Sequence, residues 1–335
     1  MGLVFSFGVF YSGWNIGEWF YEFKKTSDQL EHSFYNAVAL GKFGPEIFEN
    51  FSKQKELTLI FIGDVMFERG VKAKILKNND FKFPFLKVAE FLNSADITFG
   101  NLEGPVSKRG KSQGSVYSFR FDPRVMEGIK FAGFDVMSVA NNHIMDYGRD
   151  ALLDTIQILR DSGVVSVGAG ENYEAANKEA IFDVKAQKVA YLAYTNLYPK
   201  GLMATAKGAG VSDFDLLKIK DKISDLKNKA DLIIISLHWG VEYKKEANEE
   251  QKKIGRELIE AGADLIIGHH PHVPEEIEQY KDGWIIYSLG NFVFDQNFSE
   301  ETMGGLVVQI KVKNGEIKEV EPIPIKINSD FQPEF

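Results

Sequence analysis

The chain has 335 residues, 44% of them hydrophobic and 26% charged, the composition of a globular protein long enough for one large domain or two small ones. Its 48 acidic and 39 basic residues leave a net charge of −9, which repels phosphate backbones, so no nucleic-acid partner is expected. The absence of cysteine removes disulfides, thiolate nucleophiles and thiolate-held zinc, so any metal must be held by His, Asp, Glu and Asn.

The chain opens with an aromatic, mainly apolar stretch that ends at Lys24 and Lys25. It has no basic region in front, its most apolar part is only Leu3 to Tyr11, and Asn15 and Glu18 interrupt the remainder. That is short for a spanning helix; an interfacial anchor and a helix packed on the domain are the two readings. From Phe20 to Lys55 no strand signal occurs. Residues 1–55 are therefore expected to be an apolar and helical segment, membrane anchor and linker, ahead of a domain over 56–328.

From Leu57 onward, short β-branched runs alternate with segments of helical period, the pattern of strands connected through helices. Strands are expected at Leu57–Ile62, Asp96–Gly100, Asp135–Ala140, Val164–Gly168, Lys188–Tyr194, Asp231–Leu237, Ala263–Ile267 and Trp284–Leu289. Between them, Arg149 to Ser162 sets Leu152, Ile156 and Leu159 on one stripe, with Gly163 where a helix ends. Ile219, Ile223 and Leu226 mark the buried side of a charged amphipathic helix. A further helix is capped by Asn248, carries Glu249 and Glu250 at its positive end, faces Ile254 and Leu258 inward and closes at Gly262. At the end, Gly304–Val312 and Glu316–Ile325 alternate around Asn314-Gly315, which predicts an antiparallel hairpin completing a sheet.

The strands run into polar clusters: Ile62-Gly63-Asp64, Gly100-Asn101-Leu102-Glu103, Ala140-Asn141-Asn142-His143, Leu237-His238-Trp239 and Gly268-His269-His270-Pro271-His272. In open α/β sheets the residues beyond the carboxyl ends of strands converge, so these clusters are expected to form one site. Five of the six histidines lie in them. Taken singly, an Asp after a strand is usually a turn or cap, and a lone His a satisfied structural residue. Clustered, they point to metal binding or catalysis. Oxygen and imidazole donors together suit Mn, Zn, Fe or Ni better than Ca or Mg. The donor number leaves room for one or two ions, with Asp64 as the natural bridge. Around the cluster, Trp239 could stack on a substrate but, following a buried strand, is more often a core residue. Arg69 and Arg120 could anchor a carboxylate or phosphate but more often pair on the surface. Asn291 and Asp295 are candidates for supporting or turn roles.

The order Asp, Asn-Leu-Glu, Asn-Asn-His, His-Trp-Gly, His-Pro-His resembles the capsule-synthesis CapA family, of the calcineurin-like metallophosphoesterase fold group. The resemblance runs from about Leu57 to about Asp295 and includes Gly63-Asp64-Val65-Met66, Ala140 to Gly148, Gly168-Ala169-Gly170 and Ser288-Leu289-Gly290-Asn291-Phe292. It implies an α/β sandwich of mixed sheets flanked by helices, with Asp64, Glu103, Asn142, His238, His270 and His272 as metal ligands. It makes His143 the acid, with Asp146 either orienting it or capping a helix. It implies a role in poly-γ-glutamate capsule synthesis, a membrane-anchored domain outside the cytoplasm, an anionic polymer or phosphorylated substrate, and a membrane synthase as partner. Two alternatives stand beside it: a non-catalytic accessory of such a synthase, and a metallophosphoesterase for small phosphoesters, soluble in the cytoplasm. Two departures from the wider fold group weaken strong phosphoesterase turnover. Met66 stands where the group has a histidine, and Asn101-Leu102-Glu103 where it has an Asp-centred motif.

Overall fold

The computed structural model describes residues 56–198 and 200–335. The N-terminal segment read as an anchor or a packed helix lies outside them. Among the described residues, no helix is long and apolar enough to cross a membrane.

Four parallel strands begin the first sheet: β1 (Leu57–Val65), β2 (Ile97–Leu102), β3 (Val136–Ser138) and β4 (Val165–Val167). Helices make the connections, with α1 (Arg69–Asn78) and α2 (Ala89–Leu92) before β2, α3 (Val125–Phe131) before β3 and α4 (Gly148–Asp161) before β4. After a small antiparallel pair, β5 (Ala169–Gly170) with β8 (Gly210–Val211), and the short α5 (Tyr173–Ala176), the chain builds a second sheet. It consists of β6 (Ala180–Val184), β7 (Gln187–Thr195), β9 (Leu232–His238), β10 (Leu265–His269), β11 (Ile277–Tyr280) and β12 (Gly283–Ile286), in the order β11-β12-β10-β9-β7-β6. Its inner four strands are parallel, and α6 (Leu216–Leu226) and α7 (Glu249–Ala261) join them. The chain then returns to the first sheet through β13 (Asn291–Val293), β14 (Gly304–Lys313), β15 (Glu316–Ile327) and β16 (Pro333–Glu334). The predicted hairpin is β14–β15, and it turns on Asn314 and Gly315 at φ 57° and 73°, the left-handed pair a tight hairpin needs.

Strands buried on both faces read as continuous apolar runs, and β9 shows why. Leu232 and Ile234 pack between the sheets, while Ile233, Ile235 and Leu237 pack under α6 and α7. Phe61 and Phe99 of the first sheet meet Tyr191 of the second, the Phe99 ring stacking on it at 5.8 Å. The helix stripes read from the sequence face the core: Leu152 and Leu159 in α4, with Ile156 only partly buried, Ile219, Ile223 and Leu226 in α6, Ile254 and Leu258 in α7. The α7 cap is reciprocal: Gln251 N–H donates to Asn248 Oδ1 at 2.9 Å, and Asn248 N–H donates to Gln251 Oε1 at 2.9 Å. Trp239 lies in the core as expected, stacked on Tyr287 at 6.0 Å, its Nε1 donating to the Tyr287 carbonyl at 2.9 Å.

The sequence carried no clear signal for β6, β11, α1 or α3. Strands β6 and β11 lie at sheet edges and are only partly covered, so their apolar alternation is diluted.

Two glycines let strands approach closely beside the polar clusters. A Cβ on Gly63 would stand 2.0 Å from the Gly290 carbonyl oxygen, and one on Gly268 would stand 1.7 Å from that of Tyr287. Gly268→Ala is therefore expected to cost stability at or above the upper end of the ~1–3 kcal/mol typical of overpacking. Urea denaturation with an unshifted midpoint would contradict this.

Buried Glu275 accepts from Gln251 Nε2 at 2.8 Å, and burial pushes its carboxyl up to about 7. A carboxyl raised in the folded state stabilises below its unfolded value and loses that contribution as pH rises through the folded one. The melting temperature of chelator-treated Glu275→Gln should therefore gain on wild type between pH 5 and pH 8. A constant difference across that range would refute the assignment.

Candidate metal centre

Strand register brings the polar clusters together. Asp64 in β1 lies opposite Asn101 of β2 on one side and Asn291 of β13 on the other. In the second sheet Thr195, His238 and His269 lie side by side at the ends of β7, β9 and β10. Both parallel sets thus deliver their carboxyl ends to one region, as the topology requires.

Asp64 is fully buried at the middle of this region. Its Oδ1 accepts from Asn101 Nδ2 at 2.8 Å and stands 3.2 Å from His269 Nδ1. Its Oδ2 accepts from the His270 backbone N–H at 3.3 Å and stands 3.4 Å from His272 Nδ1. His272 Nε2 lies 3.6 Å from Glu103 Oε1, and His143 Nε2 lies 3.9 Å from the same oxygen. Asn142 Oδ1 is 2.8 Å from His238 Nε2, and the His238 and His270 rings are 4.9 Å apart. Each of Asp64, Glu103, Asn142, His143, His238, His270 and His272, picked from the sequence, therefore joins one connected cluster.

His143 is held from behind. Its Nδ1 is 2.8 Å from Asp146 Oδ2, which also accepts the Phe119 backbone N–H at 2.9 Å. Of the two roles read for Asp146, the helix cap is absent, since α4 has no side-chain cap, and the carboxylate contacts His143 instead. The Phe119 ring packs on His143 at 4.5 Å and the Phe294 ring on His272 at 4.8 Å. Asn291 supports the centre from outside: its Oδ1 is 3.0 Å from His272 Nδ1, and its amide donates to the Thr302 carbonyl and to Gln296.

The electrostatics are those of a ligand set. Burial alone would raise the Asp64 carboxyl, but hydrogen bonding and charge from His269 and His272 outweigh it and hold it well below the usual range. Burial, and then the Asp64 charge, push Glu103 well above. Burial, and then the charge of His270, hold His238 well below the usual imidazole value, and burial with the His272 charge lowers His270 to about 3. Those imidazoles stay neutral, the form that ligates metal. Both Glu103 oxygens, His269 Nε2 and His270 Nδ1 are buried without a hydrogen-bond partner, and His269 Nδ1 has only the Asp64 carboxylate beside it. Unpaired buried polar atoms cost several kcal/mol in total, by ~1–3 kcal/mol each, and a cation would satisfy these. Asp64, Glu103 and His272 bring ligand atoms within 4.8 Å of one another, as do Glu242, His270 and His272. The residues present therefore fit a divalent metal site.

Met66 contributes nothing to it. Its side chain is fully buried and its sulfur accepts the Glu68 backbone N–H at 2.9 Å. Arg69 is ion-paired with Asp295 and lies 5.1 Å from the Phe119 ring and 5.7 Å from that of Phe294, at the edge of the centre. Arg120 lies over the Tyr147 ring at 4.3 Å. Sequence reasoning passed over His269, Asn101 and Asn141. Asn141 Nδ2 donates to the Leu102 carbonyl at 2.8 Å and lies 3.1 Å from Asn101 Oδ1, relaying support to Asp64. All three lie within the motifs already read, so their place in those motifs was the available signal. Glu242, four residues after His238, gave none.

Two facing mixed sheets with a His- and carboxylate-rich centre at their strand ends define a calcineurin-like metallophosphoesterase sandwich. A putative 5'-nucleotidase from Staphylococcus aureus shares the fold, with a TM-score of 0.52 and 16% identity over 82% of this chain and 55% of that one. The family model described as bacterial capsule synthesis protein PGA_cap matches residues 58–296, and the chain belongs to that family. The capsule biosynthesis protein CapA of Bacillus anthracis is 33% identical over 283 residues, 82% of this chain and 68% of its own. The PGA biosynthesis protein CapA of Bacillus subtilis strain 168 is 34% identical over 285 residues, 82% of this chain and 75% of its own.

Glu103 gives a two-sided expectation. Stripped with chelator, Glu103→Gln should melt at or above wild type, because the variant has no unpaired buried carboxyl. With added Mn²⁺, wild type should gain melting temperature and the variant should not. Equal gains in both proteins would remove Glu103 from the ligand set.

Proposed function

We propose that this protein acts in the synthesis of capsule poly-γ-glutamate, the role in the names of its CapA relatives, through a hydrolase-like centre that binds one or two divalent ions of Mn, Zn or Fe. The observation that carries the reading is the buried Glu103 carboxylate. It faces Asp64, His272 and His143 with no donor of its own, where a cation is the missing partner.

Asp64, Glu103, Asn142, His238, His270 and His272 are the proposed ligands, and Asp64, touched by three parts of the chain, is the proposed bridge. A bound ion supplies Lewis-acid charge to polarise a phosphoryl or carbonyl oxygen and to acidify a water. The chain's own residues do the rest. Asp146 accepts from His143 Nδ1, which turns Nε2 toward the cluster; in the doubly protonated imidazolium, which Asp146 would stabilise, Nε2 can deliver its proton to a leaving oxygen or nitrogen and return to the neutral Nδ1–H form. Phe119 and Phe294 cover His143 and His272 and limit water around them. Arg69, at the rim, offers a cation to a carboxylate or phosphate of an anionic polymer or phosphorylated substrate. Residues 56–328 form the proposed functional domain. The N-terminal segment would tether it at the outer membrane face, near a membrane synthase.

One observation favours a second reading, a non-catalytic accessory to that synthase. Met66 is turned away into the core, so the centre has one imidazole fewer than a full two-metal phosphoesterase.

The test uses the full chain loaded with Mn or Zn and assayed on γ-glutamyl polymers and phosphoesters. His143→Ala should lower kcat by roughly 10²–10⁴-fold with metal content unchanged, and Asp146→Asn should lower it by part of that factor. Undiminished turnover in His143→Ala would overturn the acid assignment. Normal capsule in cells carrying that variant would favour the accessory reading.

A further inference from the structure

We propose that Glu242 is a ligand of the metal centre, a carboxylate that joins His270 and His272 to hold a divalent cation at the solvent side of the cluster. The inference rests on the metal reading above and adds to it a residue on a separate loop.

The three side chains place one ligand atom each within 4.8 Å of one another, the spacing a shared cation needs. They come from two chain segments that the backbone ties together. Beyond the register pair His238–His269, Trp239 N–H donates to the His269 carbonyl at 3.1 Å, and Tyr243 N–H donates to that of Pro271 at 2.8 Å. The second bond joins the residue after Glu242 to the residue between the two histidines, so the carboxylate is positioned by main chain.

Two further observations point to a ligand. His270 is buried, and its Nδ1 has no hydrogen-bond partner. His270, His272 and Tyr243 all have positive φ, at 98°, 59° and 64°. Non-glycine residues in that region cost of order 1–3 kcal/mol each, and such strain collects where side chains are aimed at a ligand. Glu242 itself is solvent-exposed, so an ion can reach it from solvent. An oxygen donor here also changes the character of the site. A carboxylate oxygen is a harder donor than the two imidazoles beside it.

The test is metal binding by the chelator-stripped full chain, read by competition with a fluorescent chelator for Mn²⁺ and Zn²⁺ and by the electron paramagnetic resonance of bound Mn²⁺. Glu242→Gln should weaken binding roughly 10–100-fold, or lose one ion per chain, and alter the Mn²⁺ spectrum, with circular dichroism unchanged. Glu246→Gln, an exposed carboxylate of the same loop, should bind as wild type does. If Glu242→Gln matches wild type, or if both variants weaken equally through lost charge alone, Glu242 is not a ligand. If wild type itself binds neither metal, the metal reading falls and this proposal with it.

Discussion

The structure depends on keeping one carboxylate ionised where water cannot reach it. Asp64 sits at the end of the central strand, fully buried, and an isolated charge there would be expelled or protonated. Asn101, the His270 backbone N–H, His269 and His272 surround it from both sheets. The sheets can only pack face to face if those groups arrive together. The close approaches at Gly63 and Gly268 bring the strands that carry them within reach.

Around that anchor the polar groups divide into two kinds. Some are fully satisfied by the protein: Asn141 against Leu102 and Asn101, Asn291 against Thr302 and His272, Asp146 between Phe119 and His143. Others are buried and unsatisfied: the Glu103 oxygens, His269 Nε2 and His270 Nδ1. The first kind hold side chains in place; the second kind include lone pairs that a cation would complete. Unsatisfied atoms gathered at the strand ends in this way fit a divalent cation. Met66 is the opposite case, a side chain packed in the core whose sulfur accepts a backbone N–H.

Local pattern made much of this legible in advance. The central strands are buried on both faces and so read as apolar runs. The helix stripes at Leu152, Ile219 and Ile254 faced the core they predicted, and Asn314-Gly315 marked its hairpin. The motif residues could be picked because parallel strands end in loops on one side, a rule that needs only strand direction. Edge strands β6 and β11 escaped because half-covered strands dilute the alternation that reveals them.

What the sequence by itself determined was the inventory: a cysteine-free, acidic chain whose donors are His, Asp, Glu and Asn, and whose strand ends carry them in the order of the capsule-synthesis family. Only the tertiary structure decided which donors meet. Asp146 could cap a helix or contact His143, and the fold places it 2.8 Å from His143 Nδ1, held by the Phe119 backbone N–H. His269 has no ligand role assigned by its place in the motif, yet it faces Asp64. Glu242 lies in no motif, and it reaches the histidines through a backbone bond between two loops. The reason is common to all three: a side chain's chemistry is written in its residue type, but its neighbours are set by strand register and loop geometry, which pair residues far apart along the chain.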